Sequence, residues 1–169
     1  MELRTENREL STGFKAHLTR RYRFSASHRL HSDEMSPAEN VATYGKCNNP
    51  HGHGHNYSLE VTVSGPVDPA TGMVCNLADL DGFVEREVLA RYDLEDLNTL
   101  AEFARFVPTT ENLCIQIFEI LQRGFHPAHL ERVRIEETML NSFEYTGPCG
   151  PDAGICGAGA PARQSEPRA

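Results

Sequence analysis

His28, Cys47, His53 and His55 fall between Phe24 and Val63, at spacings that suit a metal ion. In a β-strand, side chains two residues apart leave from the same face. A strand starting at His53 therefore carries His53, His55, Tyr57, Leu59, Val61 and Val63 on one side, with imidazoles at the end of an apolar stripe. Upstream, Phe24, Ala26 and His28 share a face in the same way. If the two strands are neighbours, three imidazoles converge. Three nitrogen ligands with a fourth position left open describe a catalytic rather than a structural Zn2+ site.

Two further residues carry chemistry. Glu137 falls on the same strand face as Val133 and Ile135. A carboxylate on a core face is costly unless it is paired or hydrogen-bonded. Either the strand end reaches water there, or Glu137 anchors a ligand with matching donors, such as the amidine edge of a pterin or guanine. Cys47 lies in a Gly- and Asn-rich loop just before the histidine pair. A thiol beside a metal or an imidazole is a candidate base or nucleophile; a fourth metal ligand or an inert loop cysteine are the other readings. Cys75 and Cys114 sit in apolar patterns and read as core.

The elements that must position these groups follow from pattern. Residues 1–18 read as a polar extension and 19–146 as the folded domain. The tail, 147–169, is rich in Gly, Pro and Ala and reads as disordered; Cys149 and Cys156 within it are weak evidence for a disulfide or a metal. Within the domain, strands are predicted over Thr19–His28 and His53–Ser64, separated by a long loop from Arg29 to Gly52. A turn over Gly65–Gly72 and a short extended piece at Met73–Cys75 come next. Asn76 is a candidate N-cap for a helix with Leu77, Leu80, Phe83, Val84 and Val88 at helical spacing. Tyr92–Val107 reads as irregular and acidic. A second helix is predicted to start at Thr109 or Thr110 and to stop before Gly124. Strands Arg132–Thr138 and Ser142–Tyr145 close the domain. The order β-β-α-α-β-β implies α+β, with helices on one face of an antiparallel sheet.

The chain has 169 residues, enough for one domain with a core that needs no disulfides. Its formal charge of −8 argues against a nucleic-acid surface. No run is apolar enough for a bilayer and no secretory n-region opens the sequence, so a membrane is not an expected partner. Five cysteines without regular spacing point to free thiols in a reducing, cytoplasmic setting.

The motifs FSASHRLHS, GKCNNP-x-GHGHNY, VDPATGMVxNLADL, TTEN and the ET of RIEET occur in that order. Together, from Tyr22 to Tyr145, they closely resemble the 6-pyruvoyltetrahydropterin synthase family. The resemblance implies the tunnelling fold (T-fold): a four-stranded antiparallel sheet with two helices on one face. In that family, subunits close their sheets into a barrel as trimers, and two trimers stack into a homohexamer with active sites between subunits. It implies zinc ligands at His28, His53 and His55, a catalytic cysteine at Cys47 and a pterin-anchoring glutamate at Glu137. The segment Thr109, Thr110 and Glu111 matches the part that holds the pterin ring. The implied reaction converts 7,8-dihydroneopterin triphosphate to 6-pyruvoyltetrahydropterin with loss of triphosphate. A related branch forms 6-carboxytetrahydropterin, with its cysteine three residues before the HGH; here five residues separate Cys47 from His53, the pyruvoyl spacing. One departure stands out. The family has an Asp-His pair that works with the cysteine in proton relay; here Asp93 is kept and the histidine position is Leu94. Leucine cannot carry a proton, so the expectation divides. His31 or His51 substitutes, or the product differs (a 6-carboxy pterin or a cleaved side chain), or the chain binds zinc and pterin with weakened catalysis.

Overall fold

The computed structural model describes residues 15–148. Residues 1–14 and 149–169 lie outside the described residues, and with them most of the expected extension and nearly all of the tail, including Cys149 and Cys156.

The fold is built on two long strands, β1 (Lys15–His28) and β2 (His53–Pro66), each 14 residues long and paired antiparallel over their full length. β1 begins at Lys15, before the expected Thr19, because its register runs on to Pro66. A two-residue strand, β3 (Glu95–Asp96), pairs parallel with β1 at Ala26 and Ser27. β4 (His129–Thr138) pairs antiparallel with β2, and β5 (Asn141–Tyr145) with β4. The five make one sheet in the order β3-β1-β2-β4-β5. It is therefore five-stranded and mixed, not four-stranded and antiparallel, and in the single chain it is open.

Along β2 the apolar side chains take one face as expected, but burial does not alternate, since Glu60, Thr62 and Ser64 on the other face are buried too. Tyr57, Leu59, Val61 and Val63 are buried in one core with Phe24 and Ala26 of β1 and with Val133 and Ile135 of β4. The opposite face carries polar pairs. Glu60 meets Arg21 at 2.9 Å and Arg134 at 3.5 Å, and the hydroxyls of Thr62 and Thr19 lie 2.9 Å apart. Cross-strand pairs of this kind favour one register.

The predicted loop from Arg29 to Gly52 contains a helix, α1 (Pro37–Tyr44), and a 3-10 turn over Gly45–Asn48. α1 has little to bury: Asn40 is its one buried residue. Local hydrogen bonds hold it instead. Ser36 and Glu39 form a reciprocal capping box, and Pro37 follows the cap.

Two helical segments cover the apolar face of the sheet. The first, α2 (Leu77–Val84), is capped by Asn76, whose side chain accepts from Ala78 N at 3.0 Å. It runs through a π segment, Glu85–Leu89, into a last turn, α3 (Ala90–Tyr92). Leu80, Val84, Val88 and Tyr92 all reach the core. Asp81 fixes α2 to β1 by accepting from Arg20 Nε (2.8 Å), Arg20 Nη2 (2.7 Å) and Tyr22 Oη (2.9 Å). The second, α4 (Thr110–Gly124), starts at the N-cap Thr109 and buries Leu113, Cys114, Ile117, Phe118 and Leu121. Between them, the stretch expected to be irregular holds β3 and two short 3-10 turns, Leu97–Thr99 and Ala101–Phe103. Met73–Cys75 forms no strand. Among the described residues no helix is long and apolar enough to cross a membrane.

Candidate active site

His28 and His53 face each other at the paired ends of β1 and β2. Their Nε2 atoms are 3.2 Å apart. His55 joins them, and one ligand atom from each ring lies within 4.8 Å of the others. His28 is 1 % exposed, and its Nδ1 donates to Pro108 O at 2.8 Å. That bond leaves Nε2 of His28 with a free lone pair. His53 Nδ1 and His55 Nε2 are buried with no hydrogen-bond partner. Unpartnered buried nitrogens are costly unless something else binds there. Burial, with the neighbouring imidazoles adding to it, lowers the pKa of His28 and His53, though the Pro108 bond opposes this at His28. Both rings are therefore held neutral, the state a metal requires.

Glu137 closes one side of this cluster. Its Oε1 is 3.6 Å from His55 Nε2 and 3.8 Å from His28 Nε2. Oε1 accepts from Thr110 Oγ1 at 2.5 Å, and Oε2 from Asn141 Nδ2 at 2.8 Å. Burial raises the carboxyl pKa, but the Thr110 and Asn141 bonds and the nearby imidazoles outweigh it, and the net shift is downward. Glu137 is thus an ionised group with donors on both oxygens. It is not a frayed strand end.

Cys47 lies in the 3-10 turn, partly exposed, and its sulfur is not one of the convergent ligand atoms. Leu30 N donates to Cys47 O at 2.9 Å, which ties the turn to the chain just after His28. Asn48 Nδ2 donates to Leu30 O at 2.7 Å and lies 2.9 Å from His31 Nδ1. His51 is exposed.

The other expected residues divide between the site and the sheet edge. Thr109 caps α4, so its hydroxyl is engaged with Asn112 N. Thr110 is buried against Glu137, whereas Glu111 is exposed. Asp93 accepts from Ser25 N at 2.8 Å, and Leu94 N donates to Ser25 O at 2.5 Å. Within one chain, Asp93 shares no hydrogen bond or ion pair with Cys47 or the imidazoles among the described residues. Leu94 has φ 64° and is 83 % exposed, a conformation that is uncommon for a residue with a Cβ. Sequence reasoning missed Asn141 and the Pro108 carbonyl. Asn141 depends on the hairpin geometry, and a backbone acceptor leaves no side-chain signal.

The family profile described as 6-pyruvoyl tetrahydropterin synthase matches residues 17–148. The chain belongs to that family. It is 47% identical over 135 residues to the 6-pyruvoyl tetrahydrobiopterin synthase of Drosophila melanogaster, covering 79% of this chain and 80% of the relative. It is 46% identical over 134 residues to the Homo sapiens protein of that name, covering 79% and 92%. The structure of Caenorhabditis elegans 6-pyruvoyl tetrahydropterin synthase superposes with a TM-score of 0.76 at 44% identity, covering 79% of this chain and 96% of that one.

Proposed function

We propose that this chain converts 7,8-dihydroneopterin triphosphate to 6-pyruvoyltetrahydropterin and triphosphate. The observation that carries the reading is the pairing of a three-imidazole cluster with an ionised, doubly bonded Glu137 beside it. His28, His53 and His55 would hold Zn2+. When bound, the ion supplies Lewis-acid polarisation of the substrate's side-chain hydroxyls. Glu137 accepts N–H donors from the pterin amidine edge, with Thr109, Thr110 and Glu111 at the start of α4 framing the ring. Cys47 moves protons on the side chain, and triphosphate leaves by elimination. The oxidation of the side chain is internal to the substrate, so no redox cofactor is consumed.

Asp93 is the acid–base partner of the cysteine, and its place at the sheet edge suits service to the site of an adjoining copy in a homohexamer. Free thiols at Cys47, Cys75 and Cys114 agree with a cytoplasmic location. The test is to incubate zinc-loaded protein with 7,8-dihydroneopterin triphosphate and identify products by anaerobic mass spectrometry. The expected products are 6-pyruvoyltetrahydropterin and triphosphate. A 6-carboxy pterin, a cleaved side chain, or unchanged substrate with pterin and zinc bound would each overturn the reading. Leu94, at the relay position, is the reason to distinguish these products.

A further inference from the structure

Glu137 stands between two tasks. Its Oε1 lies within 4 Å of two of the nitrogens that would hold a metal. Carboxylates are ordinary zinc ligands, and a fourth protein ligand closes the position a catalytic site keeps open. Turned away from the imidazoles, the same carboxylate can accept a pair of parallel N–H donors. The backbone does not decide between these. The β4–β5 register shifts between Glu136 and Thr138, so Glu137 has no partner in that ladder. A bulge leaves its extra residue unpaired and disrupts the ladder locally, so side-chain bonds settle where this carboxylate sits.

Thr110 takes one oxygen and Asn141 the other. The Asn141 amide is itself oriented, since its Oδ1 is engaged by the Thr138 hydroxyl. Its Nδ2 must then face Glu137, because a carboxylate only accepts. We propose that Asn141 is a positioning residue that, with Thr110, holds the Glu137 carboxylate off the imidazoles and turned toward the pterin. This rests on the reading that zinc and a pterin share the site.

Asn141→Asp removes the Nδ2 donor and keeps the acceptor facing Thr138. The full chain, zinc-loaded, is titrated with neopterin, an oxidised and unreactive pterin followed by its fluorescence. The expected result is a dissociation constant raised roughly 10- to 100-fold, the scale of one lost hydrogen bond to a charged group. Zinc is held against a chelator at least as tightly as in the wild type, and the same change made in Glu137→Gln protein adds no further loss. Unchanged neopterin affinity overturns the inference. So does an equal extra loss in the Glu137→Gln background, or zinc lost in parallel with neopterin affinity. Should Asn141→Asp not fold, Asn141→Ala carries the same comparison. A wild-type chain that binds no neopterin overturns both this inference and the reading beneath it, and is told apart because the unaltered protein fails.

Discussion

The Cys47 thiol owes its place to bonds made by its neighbours. Its carbonyl is held by Leu30 and the next residue, Asn48, by the Leu30 carbonyl, which leaves the sulfur free for chemistry. Cys114 is the contrast: it is buried, its thiol is pushed up to about 12 by burial, and it donates to Val133 O at 3.3 Å. Cys47→Ala is expected to cut triphosphate release by about 100-fold or more, the scale of a lost acid–base group. Zinc content, measured by metal analysis, is expected to stay intact because the sulfur is outside the imidazole group. Retained release would remove Cys47 from the chemistry. Strand periodicity made His53 and His55 legible on one face and His28 on its own, while their meeting depends on the β1–β2 pairing. Thr110 came into view only through the resemblance of the TTEN segment, and its bond to Glu137 did not, since that depends on how α4 meets β4.

At the scale of elements, Gly52 sets the entry to β2. Its φ is 67°, and a Cβ there would lie 3.1 Å from His28 O. Gly52→Ala is expected to cost about 1–3 kcal/mol in urea unfolding, the usual range for backbone strain of this kind, and to weaken zinc binding. Glu131 on β4 joins two other strands: it pairs with Lys15 and accepts from Ser64 Oγ at 2.5 Å. The Lys15 bond, then the Ser64 bond, hold its carboxyl pKa at about 2, below the ordinary 4.5. A depressed carboxylate pKa contributes stability above the unfolded value and loses it as pH falls through the folded one. The melting temperatures of wild type and Glu131→Gln are therefore expected to differ at neutral pH and to converge between about pH 4.5 and 2; a constant gap would remove the charge from the explanation. The long strands and main helices were readable from apolar periodicity. α1 was not, because PAENVATY presents no apolar stripe; the S-x-x-E pattern at Ser36 was the available signal. β3 is two acidic residues held by the grip of Asp93 and Leu94 on Ser25, and no local pattern announces that.

For the whole molecule, the open sheet ends in β3 on one side and β5 on the other. Exposed edges are ready to pair with another chain, and a homohexamer would use them. Sedimentation is expected to give six times the 18.8 kDa chain mass; a monomer at working concentration would exclude a site shared between copies. The pairing of His28 with His53 has a consequence for heat and supply. An ion held by rings from both strands cross-links β1 and β2 where their antiparallel pairing ends, and whatever binds only the folded chain raises its melting point by mass action. If that ion is the proposed zinc, a cell short of it would lose this protein twice, first as a catalyst and next as a folded molecule open to proteolysis.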